Sequence, residues 1–349
     1  MARWRRLTSI AGIATGVAAA GVGGVLAAEK IVVGRIRVQA DPAAGEPFGQ
    51  LRGTPVEVRA DDGVLLRAEI AGPDDAPVTV VFCHGYCLNQ DVWHYQWLSL
   101  RDDTRLVRFD QRGHGRSDLG DAGHVSVDQL GADLAAVLAA TVPGDQRVVL
   151  VGHSMGGMTI MALADQRPEL FGGTVAGVVL ISTAAHEVDA TSWLPGPMRV
   201  AARWAGPALV RGTAGGKRAA LTERIRAAGG DLAFLTTRFM AFADGDVSPA
   251  VVDFLERVIR ATPIEVVAGF YVALLQHDKR AALATLGLVP VVVITGAQDR
   301  LIPPARAAAL AAGIPAARLV QVPDAGHGII LERPEAVTEE IAGLVKEVR

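Results

Sequence analysis

Cysteine is nearly absent: Cys83 and Cys87 are the two in 349 residues. So sparse a pair excludes a disulfide framework. With only His84-Gly85-Tyr86 between them, the pair also lacks the further ligands a zinc site needs. They read as a strand-end cysteine and a loop cysteine. Lysine is scarce too, at positions 30, 217, 279 and 346, so the basic residues are almost all arginine, which reads as genomic base composition. No charge sign dominates, and the formal net charge is −3. That excludes the basic stripe of a nucleic-acid binder and the acidic tail of a disordered chain. No internal repeat is visible. His94, His114, His124, His153, His186 and His277 form no ligand set, so neither a metal nor a cofactor is expected. Nothing in the sequence sets the oligomeric state.

Hydrophobic residues make up 50% of the chain, enough for a large core. One run stands apart. Met1-Ala2-Arg3-Trp4-Arg5-Arg6 is basic, and no charge follows from Leu7 to Ala28, a length that spans a bilayer as a helix. Basic residues before the span favour a cytoplasmic N-terminus and an exported body. Three readings stay open for 1–28: a retained anchor, which leads; a signal peptide cleaved near Leu26-Ala27-Ala28; and an Ala/Gly-rich helix of a cytoplasmic protein. Arg5-Arg6 raises a twin-arginine signal, but Thr8 and Ser9 stand where apolar residues are expected. Membrane contact, where it occurs, is assigned to 7–28, and the expected location is the cell envelope, anchored or secreted. Residues 29–53 read as a connector broken by Asp41-Pro42-Ala43-Ala44-Gly45-Glu46-Pro47, with the folded body starting near Gly53.

The body changes period twice. Val56 to Arg59 and Leu65 to Ile70 flank Asp61-Asp62-Gly63, an antiparallel hairpin signal. Continuous apolar runs follow at Val78 to Cys83, Leu106 to Phe109, Val148 to Val151, Val175 to Ile181, Val289 to Ile294 and Leu319 to Val322. Such runs suit strands buried on both faces. Ser126-Val127-Asp128-Gln129 predicts a capping box, and Val127, Leu130, Leu134, Val137 and Leu138 one apolar helix face. Pro334 suits a first helical position, with Val337, Ile341, Leu344, Val345 and Val348 making the last helix amphipathic. The pattern predicts an α/β fold with a mostly parallel eight-stranded sheet covered on both faces. Residues 54–184 and 286–349 form its two core parts. Residues 185–285 break the rhythm and predict a helical lid rich in aromatics, among them Trp193, Trp204, Phe234, Phe239, Phe242, Phe254, Phe270 and Tyr271.

Gly152-His153-Ser154-Met155-Gly156 fits the G-x-S-x-G elbow, in which a serine sits on a sharp strand-to-helix turn. The apolar strand Val148 to Val151 precedes it and a helix-compatible run follows, as the motif requires. A serine hydroxyl needs a base. His327, in the loop after the strand at 319–322, is the candidate. Asp299, just after the strand at 289–294, is the acid that orients it, with Asp324 and Asp278 as alternatives. Ser, Asp, His is the chain order of this fold. The backbone N–H groups of Met155 and Tyr86 are the candidate oxyanion donors.

His84-Gly85, Asp110-Gln111-Arg112-Gly113-His114-Gly115-Arg116-Ser117, Gly152 to Gly157, Gly296-Ala297-Gln298-Asp299 and Gly326-His327 stand in the order of the α/β-hydrolase superfamily. The chain resembles that superfamily over about residues 54–349. Its N-terminal run makes it similar to exported or membrane-attached hydrolases of high-GC bacteria. The turn at 110–117 resembles a structural turn and carries no catalytic role. The resemblance implies acyl transfer by Ser154, His327 and Asp299 on a small-molecule acyl substrate, with an apolar carboxylic ester leading. Alternatives on the same triad are a cofactor-free perhydrolase or haloperoxidase-like enzyme and a carbon–carbon bond hydrolase. A non-catalytic envelope binding protein is the alternative of another class.

Overall fold

The computed structural model describes residues 33–34, 41–121, 124–144, 146–186, 230–243 and 247–349. The N-terminal run 7–28, most of the first half of the connector, and Trp193 and Trp204 of the expected lid lie outside the described residues.

Eight strands form one sheet: β1 (Thr54–Arg59), β2 (Leu65–Ala71), β3 (Val78–Cys83), β4 (Arg105–Asp110), β5 (Arg147–His153), β6 (Val175–Ile181), β7 (Val291–Gly296) and β8 (Arg318–Val322). Their order is β1-β2-β4-β3-β5-β6-β7-β8. The pairs β1/β2 and β2/β4 are antiparallel and every other pair is parallel, as the hairpin signal and the apolar runs predict. Five of the runs are continuous because successive side chains feed opposite cores. Val80, Phe82, Val149, Val151, Val179 and Ile181 enter one, and Val81, Cys83, Val148, Leu150, Val178 and Leu180 the other. The sixth, β8, lies at the sheet edge, and against expectation it buries only Val322 and leaves Leu319 exposed. Helices α1 (His94–Leu100) and α10 (Pro334–Glu347) cover the first face. Helices α2 (Val127–Thr141), α3 (Met155–Gln166) and α8 (Pro304–Gly313) cover the second.

Between β6 and β7 the described helices are α4 (Gly230–Ala241), α5 (Pro249–Ala261), α6 (Ile264–Leu275) and the single turn α7 (Leu283–Leu286). Another single turn, α9 (Ile329–Glu332), precedes α10. Among the described residues no single helix is long and apolar enough to cross a membrane.

Two expectations are corrected. The folded body does not start near Gly53. Residues 41–52 already pack on it, and Phe48 is a buried member of the first core. The capping box at 126–129 is half formed. The Ser126 hydroxyl accepts from the Gln129 N–H at 3.1 Å. The Gln129 side-chain oxygen does not turn back to accept from the Ser126 N–H. The amide instead points its NH2 at Asp61 and Asp133 and donates to both, and hydrogen bonds to charged acceptors are the stronger ones.

The chain runs from β3 outward to β4 and then back past β3 to β5. That reversal opens a crevice at the carboxyl ends of β3 and β5, where doubly wound sheets hold their ligands. The turn after β4 is fixed by one cation. Fully buried Arg112 donates to Asp133 on α2 at 2.6 Å through both Nε and Nη2. It also reaches Asp62 of the β1–β2 turn at 2.8 Å. The guanidinium holds the Asp62 carboxyl down at about 2. Removing one partner of a buried ion pair strands the other charge and costs about 3–5 kcal/mol. Arg112→Met is therefore expected to lower the unfolding free energy by about 3–5 kcal/mol in denaturant titration, with Asp133→Asn falling less. An unchanged midpoint in Arg112→Met would show that the cation does not anchor the turn.

Candidate active site

Ser154 joins β5 to α3 in a single residue. Its φ of 54° and ψ of −117° lie where side-chain-bearing residues rarely sit, at a cost of about 1–3 kcal/mol. The neighbours hold it there. The Ser154 N–H donates to Ile181 O at 2.9 Å, and the Thr183 hydroxyl donates to Ser154 O at 2.8 Å. Gly156 lets α3 approach β3, since a Cβ there would lie 2.0 Å from the Cys83 carbonyl oxygen. Met155 opens α3, so its N–H has no carbonyl one turn back to bond with and lies at the positive end of the helix.

His327 and Asp299 meet as the sequence predicts. The His327 Nδ1 lies 2.9 Å from Asp299 Oδ2, and Asp299 is 4% exposed. Its other oxygen, Oδ1, accepts from the Leu301 and Ile302 N–H groups at 2.9 and 2.8 Å, which stops the carboxylate from turning. An acceptor at Nδ1 selects the tautomer with the proton on that nitrogen and leaves Nε2 as the basic lone pair. The alternative acids are engaged elsewhere. Asp324 accepts from Gln298 at 3.2 Å, and exposed Asp278 is paired with Arg280.

The loop after β3 carries Tyr86. Gly85 beside it presses on the elbow: a Cβ there would lie 3.2 Å from Ser154 Cβ and 3.0 Å from His153 Nδ1. Two buried histidines staple this loop to the turn after β4. His84 Nδ1–H donates to Gly85 O at 2.8 Å while its Nε2 accepts from the Gln111 N–H at 2.9 Å. His114 Nε2 accepts from the Cys87 N–H at 3.2 Å, and its Nδ1–H donates to Arg112 O at 2.9 Å. Burial lowers His84 to about 4 and His114 to about 3, so both stay neutral and can accept. The turn at 110–117 thus shapes the loop without touching the cavity. Cys83 ends β3 and Cys87 lies in the loop, as expected, and both are buried and outside any disulfide.

Three contributors escaped the sequence reading. His153 Nε2–H donates to the His327 carbonyl at 2.8 Å, and burial lowers its pKa to about 3. It is therefore a fixed neutral donor that positions the His327 loop. Glu332 accepts from Gly326 N–H at 2.6 Å with one oxygen and from Ala243 N–H at 2.9 Å with the other. Burial pushes its carboxyl up. It ties the His327 loop to the end of α4. Gln111 donates to His84 O at 2.6 Å and accepts from the Thr159 hydroxyl at 2.6 Å. His153 and Gln111 stand inside the quoted motifs and Glu332 in none, but no sequence signal announces the contacts of any of them, because each contact joins segments with unrelated patterns.

Ser154, His153 and His327 open into one cavity of about 170 Å³. Its walls are almost wholly apolar: Leu88 and Val92 after β3, Leu255 and Ile259 of α5, Tyr271, Leu274 and Leu275 of α6, Leu301 and Ile302 after Asp299, and Ile330 and Leu331 of α9. Four of the six expected lid aromatics that are described belong to the core. Phe234, Phe242, Phe254 and Phe270 are buried and absent from the cavity walls, while Phe239 is exposed and stacked under Arg300 at 4.5 Å. Tyr86 lines the cavity, and its hydroxyl donates to Val267 O of α6 at 2.5 Å. Among the described residues no group of three His, Cys, Asp or Glu side chains is arranged to hold a metal.

Comparison with known proteins agrees with this geometry. The chain is 40% identical over 126 residues to a bifunctional esterase/perhydrolase of Acinetobacter calcoaceticus, a match spanning 36% of this chain and 43% of that protein's length. It is 28% identical over 284 residues to 3-oxoadipate enol-lactonase 2 of Acinetobacter baylyi, covering 81% of this chain and 94% of the relative. Among solved structures, a thermophilic esterase from Thermogutta terrifontis superposes with a TM-score of 0.66 at 25% identity, over 84% of this chain and 98% of that one. The model of the alpha/beta hydrolase family matches residues 80–340. With that span matched and the sheet order in agreement, the chain belongs to the alpha/beta hydrolase family.

Proposed function

We propose that this protein is a serine esterase that cleaves carboxylic esters of apolar small molecules through an acyl-enzyme. The observation that carries the reading is the Asp299–His327 hydrogen bond of 2.9 Å in a cavity that also holds the strained Ser154. Ser154 Oγ attacks the acyl carbonyl as His327 Nε2 takes its proton. The oxyanion is held by the Met155 and Tyr86 N–H groups, the first aided by the start of α3. His327 returns the proton to the departing alcohol oxygen. Water then enters, loses a proton to His327 and attacks the acyl carbon, and the carboxylic acid leaves with Ser154 reprotonated. His153 holds the His327 carbonyl throughout, and Asp299 stabilises the imidazolium formed in each step. The apolar walls support an aliphatic or aromatic acyl group. Helices α4 to α6 serve as the lid over it.

A second reading keeps the first half of the cycle. Hydrogen peroxide replaces water as the attacking nucleophile, so the acyl-enzyme yields a peroxyacid. The partial match to a bifunctional esterase/perhydrolase favours keeping it. We also propose that residues 1–28 carry the protein to the cell envelope, on the strength of the basic start and the uncharged run to Ala28.

A fluorophosphonate probe is expected to label the folded protein at Ser154, and peptide mapping checks the position. Ser154→Ala should abolish labelling and lower kcat/KM on p-nitrophenyl esters by about 10⁴-fold or more. Asp299→Asn should lose about 10³–10⁴-fold in kcat by supplying the wrong tautomer. Folded protein that resists the probe sinks the nucleophile assignment. Adding hydrogen peroxide to ester turnovers separates the two readings: peroxyacid detected by iodide oxidation supports the second, and carboxylic acid alone supports the first. Cell fractionation tests the envelope proposal. The full chain is expected with the membrane or outside it, and a chain lacking residues 1–28 in the cytoplasm; equal cytoplasmic recovery of both overturns it.

A further inference from the structure

Residues 41–52 cross the molecule ahead of β1 and grip α5 twice. Asp41 caps that helix. Its Oδ2 accepts from the Ala250 N–H at 2.9 Å, and its Oδ1 accepts from the Ser248 hydroxyl. A capping carboxylate satisfies a donor the helix cannot and favours the helix dipole. Phe48 supplies the second grip. Its ring stacks on Phe254 at 4.8 Å with an interplanar angle of 12°.

The same segment is fixed to the hydrolase core at its other contacts. Glu46 accepts from His94 of α1 at 3.0 Å. The Phe48 ring lies 4.6 Å from the His94 ring and edge-on to Tyr95 at 5.8 Å. Buried Arg108 of β4 donates to Leu51 O at 2.6 Å. The segment is therefore a strap between the sheet and the inserted helix.

Helix α5 carries what the strap holds. Phe254 meets Phe48, and the next residue, Leu255, lines the cavity with Ile259 one turn further on. Neighbouring residues on a helix diverge by roughly 100°, so one helix faces the strap and the cavity at once. A shift of α5 away from the strap moves that wall. The family match begins at residue 80, so the strap lies outside the part this chain shares with the family model.

We propose that Asp41 and Phe48 are positioning residues that set the acyl-chain preference of the cavity through α5. The proposal deepens the esterase reading and rests on it for its kinetic arm. In the full chain, Phe48→Ala and Asp41→Ala are each expected to raise KM for p-nitrophenyl octanoate about tenfold. Neither should move kcat for p-nitrophenyl acetate, whose acyl group is far shorter, by more than about twofold. Phe48→Tyr, which keeps the stack, should restore the octanoate KM. Hydrogen exchange gives a readout free of any assumption about the bond cleaved. Amides of 249–261 should exchange faster in both alanine variants and at the parent rate in Phe48→Tyr. Unchanged exchange across 249–261 in both alanine variants overturns the strap. So does a KM rise of equal size for acetate and octanoate. A parent protein that hydrolyses neither ester sinks the esterase reading instead, and the exchange result then decides the strap alone.

Discussion

One residue of strained backbone governs the whole cavity. Ser154 must leave β5, reverse into α3 and expose its hydroxyl, all at φ 54°. That conformation survives only because the surroundings over-determine it. Its N–H and C=O are bonded to β6 and to Thr183 beyond β6. The helix that follows lies so close to β3 that position 156 admits no side-chain carbon. The same closeness brings the β3 loop against the serine, beside the start of α3.

Around that point three neutral histidines act as structural hardware, and a fourth, His327, faces the cavity with a carboxylate at its back. His84, His114 and His153 are deeply buried, and burial keeps each uncharged. A neutral imidazole can donate from one nitrogen and accept at the other, and His84 and His114 each do so between two loops. His153 donates to the backbone of His327. Only His327 has a carboxylate at its Nδ1 and a face on the cavity. That division of labour explains how several histidines share a small volume without competing for one proton.

The inserted helices are held by polar contacts at the cavity edge and by packing further out. Glu332 joins the His327 loop to the end of α4, Tyr86 reaches the backbone of α6, and the strap at 41–52 caps and packs α5. A wall fixed from three directions lets an apolar cavity keep its shape without polar groups of its own.

The hairpin, the six apolar strands, the elbow and the order of Ser154, Asp299 and His327 were all legible in the sequence. Period-2 and continuous apolar patterns report local burial, and the elbow requires small residues at fixed spacing. Tertiary structure alone decided the rest. Asp299 led in the sequence by its place after β7, but what set aside Asp324 and Asp278 was where the loops after β7 and β8 converge. Which of the lid aromatics fill the core, and that leucine and isoleucine line the cavity, depended on how each helix is rotated. Glu332, His153 and the strap at 41–52 act across long sequence separations, and a linear pattern carries no record of which distant backbone group a side chain will reach.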